Sequence, residues 1–175
     1  TRYGLGEFSY PWREWNDFFR DSVRQFWLGD LARGYGEGVS DIASAISGSS
    51  GIFYHRGPTA SINFITAHDG FTLRDLVSYN EKHNELNLED NRDGHSSNKS
   101  WNVGTEGETD DLGIQHIRQS LKKSMAATLL LSAGVPMINM GDEVNRTQNG
   151  SNNGYSVSAG KNPWAQPWDL DAAAA

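Results

Sequence analysis

Between residues 11 and 28, PWREWNDFFRDSVRQFWL, the apolar residues Trp12, Trp15, Phe19, Val23 and Phe26 recur at steps of three and four. That spacing predicts a helix over 11–28, with Pro11 suited to its first turn and Gly29 to its stop. Trp12, Trp15 and Trp27 are expected in the core. Residues 30–60 are rich in Gly and Ser and predict a long connection, with one short helix near 38–46. At 61–67 the period changes. The β-branched run carrying Ile62, Phe64 and Ile65 predicts a strand, and it stops abruptly at His68-Asp69-Gly70. Helix signals return at Thr72–Tyr79, with Thr72 as cap and Asp75 in the first turn. Residues 81–110 are polar and Asn-rich. Residues 111–133 predict a second strong helix with the stripe Ile114, Ile117, Leu121 and Met125, ended by Gly134 and Pro136. VPMINM at 135–140 predicts a second short buried strand, which ends on Gly141-Asp142-Glu143. There is no internal repeat.

A strand, a crossover containing a helix and a second strand form a βαβ unit, which requires parallel pairing. The fold class is therefore α/β. Both strands end on polar residues, so His68-Asp69 and Asp142-Glu143 are expected at one rim. In a barrel of parallel strands that rim carries the chemistry. The pattern is barrel-like, with too few strands to close a barrel.

Composition narrows the partners. The 175 residues suit one domain with a real core. A net charge of −7 and the absence of any basic cluster beyond Lys122-Lys123 argue against nucleic acid. No apolar run is long enough for a membrane span, and the start TRYGLGEFSY is not a signal peptide. With no cysteine, disulfides, thiolate metal sites and cysteine nucleophiles are excluded, and a reducing, cytoplasmic setting fits. Six Trp among many Asn suit a hydroxyl-rich ligand, because aromatic faces stack on sugar rings while amides bond their hydroxyls.

A long polar loop in a compact domain is functional or disordered. Trp101 among the amides of Asn91, Asn98 and Asn102 favours function. The stretch Glu89 to Gly94 has the look of a calcium loop, but Ser100 stands where the closing bidentate Glu belongs. The histidines lack metal-ligand spacing. Neither a metal nor a cofactor is expected. Short sequons such as Asn98-Lys99-Ser100 arise readily in Asn-rich loops. A His-Asp pair at a strand end is more than a turn needs. Asp142-Glu143 could be site carboxylates or could cap backbone amides, and the residues alone favour capping.

Several stretches together carry a resemblance. INFITAHDGFTLRDLVSYN, NLEDNRDG, SWNVGTEG, LLLSAGVPMINMGDE, NGSNNGY and the early EWNDFFRDSVRQFW resemble, in the right order over about residues 5–155, the isoamylase and glycogen-debranching branch of the α-amylase clan of glycoside hydrolases. The resemblance implies a (β/α)8 TIM barrel, of which this chain would hold roughly the last three strand–helix units. It also implies retaining hydrolysis of α-1,6 branch linkages in glycogen or starch-type glucans. By resemblance, His68 would bond hydroxyls of the sugar being cleaved. Asp69 would be the transition-state stabiliser, holding that ring distorted at the end of the seventh strand. Asp142 and Glu143 would close the eighth strand in a structural role. The loop at 89–102 would lie over the cleft and select a branched chain. Asn91, Asp93, Trp101 and Asn102, with Asn153 and Tyr155, would contact the α-glucan. Gly154 stands where the family usually has Ala, and the pattern drifts after Tyr155.

A retaining glycosidase needs a nucleophile and a general acid, which in this clan come from the fourth and fifth strands. Glu7, Asp17, Asp21 and Asp41 do not sit in those contexts. Residues 1–155 are thus expected to form the C-terminal portion of a catalytic barrel, with 156–171 as its exit and 172–175 as a non-native Ala tail. The remainder of the barrel would be its partner, the chain alone would be inactive, and its open sheet edges would favour association. A non-catalytic carbohydrate-binding fragment, or an α-1,4-acting or transferase member of the clan, stays open, although the SWNVGTEG loop argues against the last two.

Overall fold

The computed structural model describes residues 4–30 and 38–154. These divide into two compact units: residues up to 65 with 123–137, and residues 66–122 with those from 138 onward. None of the described helices is long and apolar enough to cross a membrane.

The first unit holds a parallel three-stranded sheet in the order β1 (Glu14–Asn16), β2 (Ser61–Phe64), β3 (Val135–Met137). Trp15 pairs with Ile62, and Ile62 with Val135. Helices α1 (Asp17–Arg24), α2 (Val39–Ile46) and α3 (Ser50–Phe53) precede β2, and α4 (Leu112–Leu131) precedes β3. The expected parallel α/β arrangement is present, together with the short helix near 38–46 and the long helix before β3.

The helix expected over 11–28 begins late. Asn16 ends β1 and caps α1, its Oδ1 accepting from the Phe19 N–H at 3.0 Å. An N-cap amide satisfies a donor that the first helical turn leaves orphaned, so the helix starts at Asp17. Phe19 and Val23 are fully buried as expected. Trp12 and Trp15 are not core: they are 65% and 46% exposed. In their place Glu14 and Asn16 point inward, inverting the usual alternation of a strand. After α1 the chain widens into a π-helical turn over Gln25–Asp30. There Trp27 is half-buried and donates its indole N–H to Thr128 Oγ1 at 3.1 Å.

A chain of hydrogen bonds takes the place of greasy packing between the strands. Asn16 Nδ2 donates to Ser49 Oγ at 2.9 Å and to Ser61 Oγ at 2.8 Å. Ser61 Oγ donates to Asn63 Oδ1 at 2.7 Å, and Asn63 Nδ2 donates to Ala133 O at 3.1 Å. Arg24, at the end of α1, donates through Nε and Nη2 to Ile65 O, just past β2. Buried polar groups are tolerated when each finds a partner. Asn16→Ala removes the cap and leaves two buried hydroxyls short of a donor. It is expected to cost about 2 kcal/mol by urea unfolding. Asn16→Asp keeps the cap acceptor but not the two donors, so it should recover only part of the loss. Full recovery would mean that the chain beyond the cap contributes nothing.

β3 is not the buried strand expected. Val135 and Met137 are half-buried and Pro136 is exposed. Among the described residues β3 pairs only with β2 and so forms an edge, where a strand proline is tolerated because no donor is needed on the open side. The helix expected over Thr72–Tyr79 is a single 3-10 turn, Asp75–Val77, in the second unit. Its capping position is Arg74 and not Thr72, though Thr72 Oγ1 accepts from the Asp75 N–H at 3.1 Å. Its carbonyls are taken by loop amides instead of a next helical turn: Trp101 N–H donates to Leu76 O and Gly107 N–H to Ser78 O.

Candidate functional site

The site is built within the second unit. The segment that follows β2 leads through Thr66 to His68 and Asp69, whose side chains are 73% and 76% exposed and approach each other at 3.3 Å. Asp142 staples the two ends of this segment. Its carboxylate accepts from Thr66 Oγ1 on one side and from the Leu73 N–H at 3.0 Å on the other. Burial raises the Asp142 pKa, against the lowering pull of those two bonds and of Arg146. Glu143 turns its carboxylate onto the Gly141 N–H at 2.8 Å. Both acids thus accept from backbone N–H groups, Asp142 from Leu73 and Glu143 from Gly141.

The Asn-rich loop is braced from inside. Asn91 accepts from the Asn84 N–H and donates to Lys82 O. Asp93 accepts from Asn87 Nδ2 at 2.7 Å and Asn153 Nδ2 at 2.9 Å. Burial pushes the Asp93 pKa up, but these two bonds, together with a backbone hydrogen bond at Asp93 and the charge of Lys82, outweigh it and the carboxyl lies below its ordinary value. Asn102 accepts from the Gly104 N–H and donates to Glu106, whose carboxylate also gathers the N–H groups of Asn80 and Glu81. Trp101 is half-buried, its N–H bonded to Leu76 O. Of the six residues expected to contact glucan, Asn91, Asp93, Asn102 and Asn153 thus spend side-chain groups on loop structure. Tyr155 lies outside the described residues, as do the expected exit segment and Ala tail.

Three supports escaped the sequence reading. Asn84 and Asn152, both buried, bond each other, with Asn84 Nδ2 donating to Asn152 Oδ1 at 2.8 Å and the Asn152 N–H donating to Asn84 Oδ1 at 3.0 Å. Arg118 is buried on the inward stripe of α4 and donates to the carbonyls of Gly107 at 2.7 Å and Asn102 at 2.9 Å. A charged residue on an apolar helical stripe was the available signal for it. Asp75 is fully buried and accepts from Thr147 Oγ1 and the Gln148 N–H.

Gly94 lets two loops meet at the amide pair. A Cβ at this position, where φ is +70°, would lie 2.2 Å from Asn152 Oδ1 and 2.9 Å from Asn84 Nδ2. Gly94→Ala is expected to lower stability by about 2 kcal/mol, since both the backbone and the packing oppose it. An unchanged urea midpoint would show that the pair can give way.

Burial raises the Asp75 pKa against the lowering effect of its bonds from Thr147, Gln148 and Thr72. A carboxyl raised in the fold contributes stability that is full below its unfolded value and is lost as pH rises through its folded value. Asp75→Asn is therefore expected to gain on the native sequence as pH climbs from about 4 to about 7. Urea midpoints across that range test this, and a constant difference would contradict it. Among the described residues no group of three or more His, Asp or Glu is arranged to hold a metal.

No family model matches the chain. It is 53% identical over 155 residues to a protein named glycogen operon protein GlgX homolog from Mycobacterium bovis, covering 87% of this chain and 21% of that one. It is 51% identical over 156 residues to a glycogen debranching enzyme from Pectobacterium atrosepticum, covering 87% and 23%. The chain thus spans about a fifth of the length of these curated relatives. Among solved structures, a pullulanase from Bacillus acidopullulyticus aligns with a TM-score of 0.52 over 86% of this chain and 15% of that one. At 22% identity that likeness concerns the fold alone.

Proposed function

We propose that this chain, a homologue of glycogen debranching enzymes over about a fifth of their length, is part of an α-1,6-acting glycoside hydrolase of the α-amylase clan. β1, β2 and β3 are read as neighbouring strands of a (β/α)8 barrel, the last of its strand–helix units. The parallel order and register of the three support that reading. Residues 1–155 then belong to the catalytic barrel, and a cytoplasmic setting goes with an enzyme acting on stored glucan.

The observation that carries the site is the exposed His68-Asp69 pair in the segment that continues from a parallel strand. Two neighbouring polar groups can hold adjacent hydroxyls of one ring. Glycoside hydrolysis passes through an oxocarbenium-like transition state, and hydrogen bonds that tighten there lower the barrier. Asp69 is assigned that tightening contact and His68 a hydroxyl contact on the same sugar. The nucleophile and the general acid are assigned to parts of the enzyme outside these residues. Asp142 and Glu143 hold the turn, and the loop at 89–102 borders the glucan, with Asn91, Asp93, Trp101, Asn102, Asn153 and Tyr155 as the residues to probe.

The test compares the complete polypeptide with this chain alone on glycogen, on a trimmed branched dextrin and on a linear α-1,4 glucan. New reducing ends from the branched substrates, from the complete polypeptide only, are expected. Equal release from the linear glucan would point to an α-1,4-acting member. Binding of glucan without any release would point to a carbohydrate-binding role.

A further inference from the structure

The His68 and Asp69 side chains are largely exposed, so their aim depends on the backbone that carries them. That backbone turns at Gly70, where φ is +92°. Gly70 is gripped at both of its polar groups. Its N–H donates to Asn152 O at 2.9 Å. Its C=O accepts from Gln148, whose amide nitrogen, oriented to meet acceptors, reaches Gly70 O at 3.1 Å and Ser151 O at 3.0 Å.

The gripping segment, 148–152, is held at its start by Asp75, which accepts from the Gln148 N–H, in its middle by the His83 N–H on Gly150 O, and at its end by the Asn84 side chain. Asn84 Oδ1 accepts from the Asn152 N–H at 3.0 Å and Ser151 Oγ at 3.1 Å. Asn84 Nδ2 donates to Asn152 Oδ1 at 2.8 Å and Asp93 O at 3.0 Å. Both donors and both acceptor sites of this amide are therefore filled, the full capacity of the group. Asn152 passes the connection on, donating through Nδ2 to Asn98 Oδ1 at 2.8 Å and His95 O at 2.7 Å. One buried pair thus joins the Asn-rich loop to the turn that carries the His-Asp pair. No other side chain of this size can replace Asn84. Asp would set an acceptor against Asn152 Oδ1 and Asp93 O, and Leu would remove all four bonds, leaving only Asp93 O among these partners with another donor, Lys82 Nζ.

We propose that Asn84 and Asn152 are positioning residues for the His68-Asp69 turn. They transmit the conformation of the Asn-rich loop to Gly70, and through Gly70 they aim Asp69 at the sugar ring. The proposal rests on the functional reading above. It predicts a loss that falls on the reaction step and is absorbed when Asp69 can no longer act.

The experiment uses the complete polypeptide with a branched dextrin as substrate and reads two quantities for Asn84→Asp. The first is amide exchange at Gly70, expected to quicken about tenfold as the grip loosens. The second is a double-mutant cycle with Asp69→Asn. Alone, Asn84→Asp is expected to lower kcat by about tenfold to a hundredfold with KM within about twofold. In the Asp69→Asn background it should lower kcat by less than about twofold. Equal losses in both backgrounds, or unchanged Gly70 exchange, would overturn the proposal. If Asn84→Asp does not fold, Gln148→Ala removes the side-chain grip on the Gly70 and Ser151 carbonyls and leaves Asn84 in place. It should give the same pattern at about threefold in kcat, again absorbed by Asp69→Asn. If the unsubstituted polypeptide releases no glucan ends, the functional reading fails by itself, and Gly70 exchange still decides whether the pair holds the turn.

Discussion

Asp69→Asn in the complete polypeptide is expected to lower kcat on a branched glucan by about a thousandfold and to leave KM within a few-fold of its starting value. The side chain is exposed, so its replacement disturbs no packing. A hydrogen bond that strengthens at an oxocarbenium-like transition state contributes several kcal/mol, and each ~1.36 kcal/mol is tenfold in rate. An interaction realised mainly at the transition state appears in kcat. His68→Ala removes a contact that the bound sugar also uses, so part of its loss should appear in KM. A fall of less than tenfold for Asp69→Asn, with the protein folded, would remove Asp69 from the ring-holding role.

The largest stability effect is expected at Arg56. This guanidinium forms a nearly dry ion pair with Glu14 and donates through Nη1 to Trp12 O at 2.9 Å. Glu14 lies in β1 and also accepts from the Gly6 N–H at 2.8 Å. Removing one partner of a buried pair strands the other charge, which costs about 3–5 kcal/mol. Against a total stability of about 5–15 kcal/mol, Arg56→Ala should therefore leave the first unit marginal or unfolded. Replacing both partners by Met is expected to cost far less, because no charge is then stranded. Urea unfolding of the single and double variants separates the two cases. If the single variant loses under 1 kcal/mol, solvent reaches Glu14 more freely than the fold suggests.

How far the sequence could be read depended on whether hydrophobic period and burial agreed. Along the second half of α4 they do, with Leu121 and Met125 buried as expected, but in its first half Ile117, expected on the apolar stripe, is exposed and Arg118 is buried. In β2 they agree only at its end, where Phe64 is inside and Ile65 follows it inside; earlier in the strand Ser61 and Asn63 are buried and Ile62 is half-buried. In β1 they are opposed: Trp15 faces out while Glu14 and Asn16 face in, because an ion pair and a helix cap make burial of polar groups favourable there. No period can show that. VPMINM reads as buried because every side chain but one is apolar, yet among the described residues β3 pairs only with β2 and its residues are half-buried or exposed. At the site, His68 and Asp69 stood out because polar residues end an apolar run. Asn84 and Asn152 did not, since neighbouring asparagines in the same loops look alike. Which amide is buried and filled is decided by distant backbone, here 68 residues away along the chain.

The polar seam from Asn16 through Ser61 and Asn63 has a consequence for assembly. Sliding β1 by one residue along β2 would bring Trp15 into the place of Asn16, since successive side chains of a strand face opposite ways. The indole would then fill a space shaped for an amide, and two hydroxyls would lose their donor. An oily interface would also resist such a slip, because its faces are exchanged, but nothing there depends on matching each donor to its acceptor. This seam instead recognises one alignment, so the open edges of the sheet do not make its strands interchangeable. The seam acts as a key that rejects strand exchange between copies, at the stage when a half-formed sheet is most prone to it.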